Sequence, residues 1–271
     1  MPSDKDREGG TFNLGTHLRE QGQKPGVLRQ GGDGRERSLP LFLRRSKVTR
    51  LILTRHGETL WNIEGRVQGS MDSPLTEKGI LQARVLGKRV QGEGITRIYS
   101  SDLPRAIQTA EEVRRELGLG EISLSSAIRE LSFGEWEGKA WWDLRNLYPE
   151  LFEVWDKGPD QVQIPGGESM LEVTKRSWGF IQELLKNYPG ETIFVVTHGM
   201  TLQLLVKKAL GFPVEQWENV PWQYNTSVNI FDISEEGEFI PVLIADHAHL
   251  ADETIKPSSG FIKTEEASTG N

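Results

Sequence analysis

The segment Thr192–Thr197 reads TIFVVT, and its four central residues are all apolar. A strand of this kind has no polar face to turn toward water, so it belongs in a sheet that is covered on both sides. The run Val48–Thr54, which contains Leu51-Ile52-Leu53, predicts a second buried strand. These two runs therefore restrict the chain to folds in which helices cover both faces of a sheet.

Helix and strand signals alternate along the rest of the chain. Thr76 is placed to cap a helix from Glu77 to about Val90, and Ser169-Met170-Leu171-Glu172 is a capping box that opens another. Further strands are predicted over 97–100, 122–124, 227–233 and 239–245, and further helices after Ser101 or Asp102 and from Met200 to Leu210. The alternation predicts an α/β fold: a three-layer sandwich with a mostly parallel sheet, helices on both faces and a small helical cap insertion.

Three parts of the chain differ in composition. Residues 1–47 contain ten Lys or Arg and six Asp or Glu, and residues 1–40 contain eight glycines and one aromatic residue. We expect residues 1–46 to be a disordered basic extension, since they lack a periodic apolar pattern. Their positive charge by itself would also be compatible with binding to nucleic acid or to an anionic membrane. Residues 47–250 are predicted to form the folded domain, and residues 251–271 a flexible C-terminal tail.

The composition excludes several classes of protein. The chain has no cysteine, so it can form no disulfide, zinc–thiolate site or cysteine nucleophile. No apolar run approaches the roughly 18 residues of a transmembrane helix, and the N-terminus lacks the apolar stretch of a secretory signal peptide. We therefore expect a cytoplasmic protein that binds neither nucleic acid nor a membrane.

Three of the predicted strands end in residues that carry positive charge or an imidazole. The first ends in Thr-Arg-His-Gly, the second in Ser-Ser-Asp-Leu-Pro-Arg and the third in Thr-His-Gly. Ligands of open α/β sheets bind just beyond the carboxyl ends of the strands, so these ends should bring together Arg55, His56, Arg105 and His198. A single histidine or arginine after a strand more often has only a structural role, such as a salt bridge. The same Thr-(Arg)-His-Gly ending on two strands makes a purely structural role less plausible. The set fits an anionic ligand, most simply a phosphate.

The motifs between about Lys47 and Leu250 resemble, in order, those of the histidine phosphatase superfamily. This is the phosphoglycerate mutase-like group, and the resemblance is to its phosphatase branch, which includes broad-specificity phosphatases and α-ribazole phosphatases. The matching pieces are TRHGETLWN at 54–62, RVQG at 66–69, SPLTEKG at 73–79, SSDLPRAIQTA at 100–110, RELSFGEWEG at 129–138, PGGES at 165–169 and VVTHG at 195–199.

The resemblance implies phosphoryl transfer by covalent catalysis, with His56 as the nucleophile that becomes a phosphohistidine. Gly57 would suit the tight bend after it and could hold the second ring nitrogen through its backbone. The resemblance further implies that the phosphoryl oxygens are bound by Arg55, Arg105 and His198, with Asn62 as a neutral donor. Protein cations would then do the work of a metal, so no metal or other cofactor is expected.

Glu130 matches the general acid of that family, which must carry a proton when the leaving group departs. Glu135 and Glu137 are close in sequence and remain as alternatives. Other residues expected near the substrate are Arg66, Gln68, Gly69 and Gly199. Four tryptophans between the proposed acid and Pro165 either line a cap over the leaving group or only anchor a helical insertion: Trp136, Trp141, Trp142 and Trp155.

Two other functions stay open beside a phosphomonoester hydrolase acting on a small phosphorylated metabolite. A cofactor-dependent phosphoglycerate mutase would carry a longer insertion between Glu130 and His198 with extra basic residues, whereas this segment is short and rich in acids. A non-catalytic binding protein on the same fold would tolerate loss of His56 or Glu130, and both positions are intact. A homodimer is compatible with the family.

Overall fold

The computed structural model describes residues 48–214, 219–252 and 254–256. The predicted basic extension and most of the predicted tail lie outside the described residues. Within that part, the strands are β1 (Thr49–Arg55), β2 (Arg97–Ser101), β3 (Ile122–Ser125), β4 (Thr192–Thr197), β5 (Val228–Ile233) and β6 (Phe239–Asp246). The α-helices are α1 (Leu60–Ile63), α2 (Glu77–Val90), α3 (Pro104–Leu117), α4 (Trp141–Leu147), α5 (Pro149–Lys157), α6 (Met170–Asn187) and α7 (Gly199–Ala209).

The six strands form one sheet in the order β3-β2-β4-β1-β5-β6. The first four strands in this order are parallel, whereas β5 and β6 are antiparallel to their neighbours. β1 and β4 lie side by side, and Arg55 at the end of β1 is paired with Thr197 at the end of β4. The mostly parallel sheet is therefore as predicted, and its register places His56 and His198 at the same edge.

Helices cover both faces of the sheet. On one face, Ile52 and Phe194 pack with apolar residues of α2 and α3. On the other face, Leu51 and Val195 pack with residues of α6 and α7. Because side chains alternate between the faces along a strand, neighbouring residues of β1 and β4 enter two different cores. This arrangement confirms the predicted three-layer sandwich.

A third apolar cluster lies in the insertion that contains α4 and α5. Its centre is Trp136, which is fully buried and stacks on Phe152 with ring centroids 5.2 Å apart. Met170 and Val173 of α6 belong to the same cluster, which ties the insertion to the main body. The predicted helical cap insertion is thus present, and its tryptophans differ in burial: Trp136 is inside, while Trp142 is 52% exposed.

Two of the predicted helix starts follow the capping signals in the sequence. The Gly79 amide donates to the Thr76 hydroxyl at 2.9 Å, and Ser169 and Glu172 form the predicted capping box. The start of α3 differs from the prediction, because Leu103 occupies the N-cap position and its side chain cannot cap; the first-turn amide of Arg105 donates instead to the distant Asp72 carboxylate at 3.4 Å. The Asp102 carboxylate is instead paired with Arg129 at 2.6 Å, and Pro104 in the first turn removes one of the amides that a cap would satisfy.

No α-helix among residues 48–214, 219–252 and 254–256 combines the length and the apolar character needed to span a bilayer.

Candidate active site

The ends of β1 and β4 place two imidazole rings next to each other. The His56 amide donates to the Thr197 carbonyl at 2.9 Å, which extends the strand pairing by one residue. Beyond this bond, the rings of His56 and His198 meet edge to face with centroids 5.2 Å apart. The repeated Thr-(Arg)-His-Gly ending thus brings the two histidines together, as the sequence predicts.

The His56 ring is held as a neutral group with one nitrogen free. Its Nδ1 lies 2.7 Å from the Gly57 carbonyl oxygen. A carbonyl only accepts, so Nδ1 carries the proton and the neutral ring presents an unprotonated Nε2. Burial, with help from Arg105 and Arg55, lowers the pKa of His56 well below its usual value. Position 57 requires glycine, since a Cβ there would lie 2.5 Å from the Gly79 carbonyl oxygen.

Two buried arginines supply the positive charge of the site. Arg105 is fully buried and donates to the Asp72 carboxylate and to the Met71 and Gly69 carbonyls, each at 2.8 Å. Arg55 donates to the Gln223 carbonyl at 3.1 Å. Burial lowers the pKa of Arg55 to about 10, with Glu130 opposing the shift, so the group is still a cation at neutral pH.

Several buried polar atoms at these strand ends have no protein partner in the described part of the chain. They are Nε of Arg55, Nε of Arg105 and both ring nitrogens of His198. Burial and the charge of Arg105 lower the pKa of His198 well below its usual value, so its ring is neutral and keeps one N–H. Buried donors are normally bonded, and an anion entering between the arginines would satisfy most of these atoms.

The Glu130 carboxylate lies at the N-terminus of α7. It accepts from the amides of Leu131, Met200 and Thr201 at 2.9, 3.2 and 3.1 Å. Gly199 borders both charged groups, since a Cβ there would lie in ordinary contact with the Arg55 guanidinium at 3.4 Å and with Glu130 Oε2 at 3.6 Å. The carboxylate is thus fixed beside the cationic strand ends.

The two alternative acids point to other partners. Glu137 Oε1 accepts from the amides of Ser70 and Phe133 at 2.9 and 3.0 Å, which ties two loops together. Glu135 is exposed and accepts from the Tyr148 hydroxyl at 3.3 Å. Neither glutamate contributes to the cavity described next.

These groups open into one cavity of about 190 Å³. Eight of the eleven residues singled out in the sequence line it: Arg55, His56, Asn62, Gln68, Gly69, Arg105, Glu130 and Gly199. The remaining lining is apolar: Val67, Phe133, Trp141, Trp155, Met200 and Trp222.

The other three singled-out residues do not contribute to the cavity surface. Gly57 lies behind His56 as its hydrogen-bond partner, and His198 is fully buried next to the His56 ring. Arg66 was expected near the substrate, but its side chain turns away. Its Nε pairs with Glu64 at 2.7 Å, and its Nη1 donates to the Gly138 carbonyl at 2.9 Å.

A segment before β5 holds the backbone around His56, and the sequence analysis did not single it out. The Asn225 amide group donates to the His56 carbonyl at 2.9 Å and to Asn62 Oδ1 at 3.2 Å, which leaves the Asn62 amide nitrogen as a donor. The Thr226 amide donates to the Arg55 carbonyl at 3.1 Å. Thr226 has a φ of 57°, a costly conformation for a β-branched residue. In the sequence, the one signal for Asn225 and Thr226 is that these two polar residues come shortly before an apolar strand.

Comparison with known proteins identifies relatives that share most of this chain. The family model described as histidine phosphatase superfamily (branch 1) matches residues 51–246. A Yersinia pestis protein named probable phosphoglycerate mutase GpmB is 41% identical over 170 residues, which is 61% of this chain and 77% of the relative.

Two solved structures have the same fold over nearly their whole length. Bacillus stearothermophilus YhfR is 37% identical, with a TM-score of 0.70 over 74% of this chain and 98% of that one. A mycobacterial glucosyl-3-phosphoglycerate phosphatase, solved with VO3, is 27% identical, with a TM-score of 0.67 over 73% of this chain and 99% of its own.

Proposed function

This chain belongs to the histidine phosphatase superfamily, and we propose that it hydrolyses small phosphomonoesters through a phosphohistidine on His56. One observation carries the proposal. The free Nε2 of a neutral imidazole opens into a cavity that is also lined by two buried arginines and one carboxylate. A nucleophile, an anion site and a proton donor are the parts that phosphoryl transfer through an enzyme-bound intermediate needs.

In the first step, the lone pair of His56 Nε2 attacks phosphorus and the bond from phosphorus to the alcohol oxygen breaks. The protonated Glu130 carboxyl gives its proton to the departing oxygen, and the alcohol leaves. In the second step, water attacks the phosphohistidine and Glu130 takes a proton from it. Inorganic phosphate and the original His56 are released, so protons and electrons balance over the cycle.

The positive charge that stabilises the transferring group would come from the protein. We assign Arg55 and Arg105 to the phosphoryl oxygens, because both keep an unpaired Nε at the strand ends. We assign a third contact with the phosphoryl oxygens to His198, since its ring nitrogens are buried beside His56 without a described partner. Since the arginines do this work, we expect turnover to survive EDTA and to be inhibited by vanadate, which resembles the five-coordinate phosphorus of the reaction.

A phosphoglycerate mutase is the second candidate, because a relative carries that name. A mutase must hold a bisphosphorylated intermediate, and therefore needs cations for a second phosphate. The cationic side chains on the described cavity surface are Arg55 and Arg105, and both are assigned to the transferring group. This supports hydrolysis over mutase activity.

The proposal is tested by phosphate release from p-nitrophenyl phosphate by the wild-type chain and by His56→Ala. We expect the substitution to remove turnover. His247→Ala should leave turnover intact, since His247 packs against Tyr224 away from the cavity. Isomerisation of 3-phosphoglycerate that requires 2,3-bisphosphoglycerate and exceeds phosphate release would favour the mutase. No reaction with any phosphomonoester would favour a binding protein.

A further inference from the structure

The cavity has two unlike ends. Polar side chains gather at the strand ends around His56, and the rest of the lining is an apolar wall of six residues, four of them aromatic: Val67, Phe133, Trp141, Trp155, Met200 and Trp222. If His56 attacks phosphorus, the alcohol part of the substrate has to point away from the strand ends. The apolar wall is therefore the surface that meets the leaving group.

The aromatic wall is held in place before any ligand arrives. Trp141 and Trp155 pack against the fully buried Trp136, with centroid distances of 6.2 and 5.6 Å, and against each other at 5.3 Å. Phe152 lies behind them, with its ring stacked on Trp136. Trp141, Trp155 and Trp222 are nevertheless only half-buried, so each keeps apolar surface that a ligand could cover. A rigid ring surface of this kind binds an apolar group at a low entropic cost.

The same wall offers no described partner for a second anion. The charged residues on the cavity surface are Arg55, Arg105 and Glu130, and the two arginines are assigned to the phosphoryl group. Arg66 is bound to Glu64 and the Gly138 carbonyl instead of facing the cavity. A carboxylate or second phosphate on the alcohol would lose water without gaining a cation.

We propose that the substrate is a phosphomonoester whose alcohol part carries an apolar ring and no second anionic group. This inference rests on the proposed phosphatase function, because that function decides which end of the cavity takes the phosphoryl group. It separates this chain from enzymes acting on phosphoglycerate-type substrates, whose alcohol parts carry a carboxylate.

Three primary alkyl phosphates test the proposal at nearly equal leaving-group basicity: 3-phenylpropyl, 3-hydroxypropyl and 3-carboxypropyl phosphate. We expect kcat/KM to be highest for the phenyl compound, about tenfold or more above the hydroxyl compound, and lowest for the carboxylate. Equal values, or a preference for the carboxylate, would overturn the proposal while leaving the phosphatase function standing.

Substitutions in the wall locate the preference. Trp155→Ala and Trp222→Leu should each lower the phenyl-to-hydroxyl ratio of kcat/KM severalfold. Trp142→Ala is the matched control on the same helix as Trp141, because Trp142 does not line the cavity, and the ratio should not change. The proposal fails if Trp142→Ala alters the ratio as much as the other two, or if neither wall variant alters it.

Binding of the three corresponding phosphonates separates this proposal from the proposed function, since phosphonates are not hydrolysed. Titration calorimetry should give the tightest Kd for 3-phenylpropylphosphonate. If no phosphate ester is hydrolysed but this order of binding holds, the apolar subsite stands and the phosphatase function falls. If the esters are hydrolysed but the phosphonates bind equally, the apolar subsite is wrong.

Discussion

The two ends of the cavity are built in different ways. The strand-end side includes Arg55 at the end of β1, His56 directly after it and Arg105 of α3, which are almost entirely buried, with exposures of 7%, 2% and 0%. The aromatic side consists of half-buried rings from α4, α5 and the loop before β5. The first side is anchored to the sheet, whereas Trp141 and Trp155 of the second side belong to the insertion. We therefore expect the two sides to contribute separately to chemistry and to substrate choice.

The comparison predicts that strand-end variants act on the chemical step and depend on how much the leaving group needs a proton. For Glu130→Gln, we expect a loss of about 10²–10⁴-fold on alkyl phosphates and a distinctly smaller loss on p-nitrophenyl phosphate, whose phenolate leaves without help. Measured kcat/KM values for both substrates check this, because kcat/KM reports the phosphorylation step and not the later hydrolysis of the phosphohistidine; Glu135→Gln is the exposed control. Equal losses on both substrates would mean that Glu130 orients or binds instead of protonating.

The second strand-end prediction concerns the shape of the cation. Arg105→Lys keeps the charge but cannot hold the Gly69 and Met71 carbonyls and the Asp72 carboxylate together with the phosphoryl group. We expect kcat/KM to fall by about 10²–10³-fold on every substrate, regardless of the apolar ring. A loss confined to substrates with a ring would show that the two ends of the cavity are coupled.

Asn225 connects the strand ends to the loop before β5, and its removal is expected to have a smaller effect. Asn225→Ala removes two donated hydrogen bonds, to the His56 carbonyl and to Asn62. We expect kcat to fall by about tenfold, because the nucleophile and a neutral donor lose their positioning, with little change in the phenyl-to-hydroxyl ratio. Asn225→Asp keeps an acceptor but no donor, so it should not restore kcat. Recovery of kcat in Asn225→Asp would contradict the positioning role.

The strand-end side also differs from the aromatic side in how stability depends on pH. Burial and the arginines lower the pKa of both His56 and His198. Below a pH of about 6.5, the unfolded chain binds protons that the folded chain refuses, so the free energy of unfolding falls as the pH falls. Each histidine contributes up to about 1.4 kcal/mol per pH unit in that window. Above about pH 6.5 the histidines are neutral in both the folded and the unfolded chain, so they no longer lower the free energy of unfolding.

Urea unfolding between pH 7.5 and 5 measures this slope, and His198→Asn should make it shallower. Trp155→Ala serves as the control, because tryptophan does not titrate and the slope should keep its wild-type value. An unchanged slope in His198→Asn would show that the ring is not held neutral in the folded chain.

The strand-end side could be predicted from the sequence because its signals are local. An apolar run that ends in a polar motif fixes both the strand and the edge at which His56 and His198 appear, and the parallel pairing of β1 and β4 then brings the two together. Arg66 shows where this reasoning stops. Its loop position follows from the motif, but the direction of its side chain depends on Glu64 and on the distant Gly138 carbonyl.

The aromatic side could be predicted only in part. The tryptophans of the insertion were visible, but whether each faces the cavity, the core or the solvent depends on how α4 and α5 pack on Trp136. Trp222 and Asn225 come from a connection without any periodic pattern, and the hydrogen-bond partners of Asn225, His56 and Asn62, lie far away in sequence. Long-range contacts of this kind leave no local signal.

The most direct test of the account is to trap the intermediate. The chain is mixed with p-nitrophenyl phosphate, quenched within milliseconds at alkaline pH and mapped by mass spectrometry, with Glu130→Gln run in parallel. We predict one acid-labile phosphoryl group on His56, and more of it in Glu130→Gln, since that variant can form the intermediate from a good leaving group but activates water poorly. Turnover without any phosphorylated histidine, or with the label on another residue, would contradict the account.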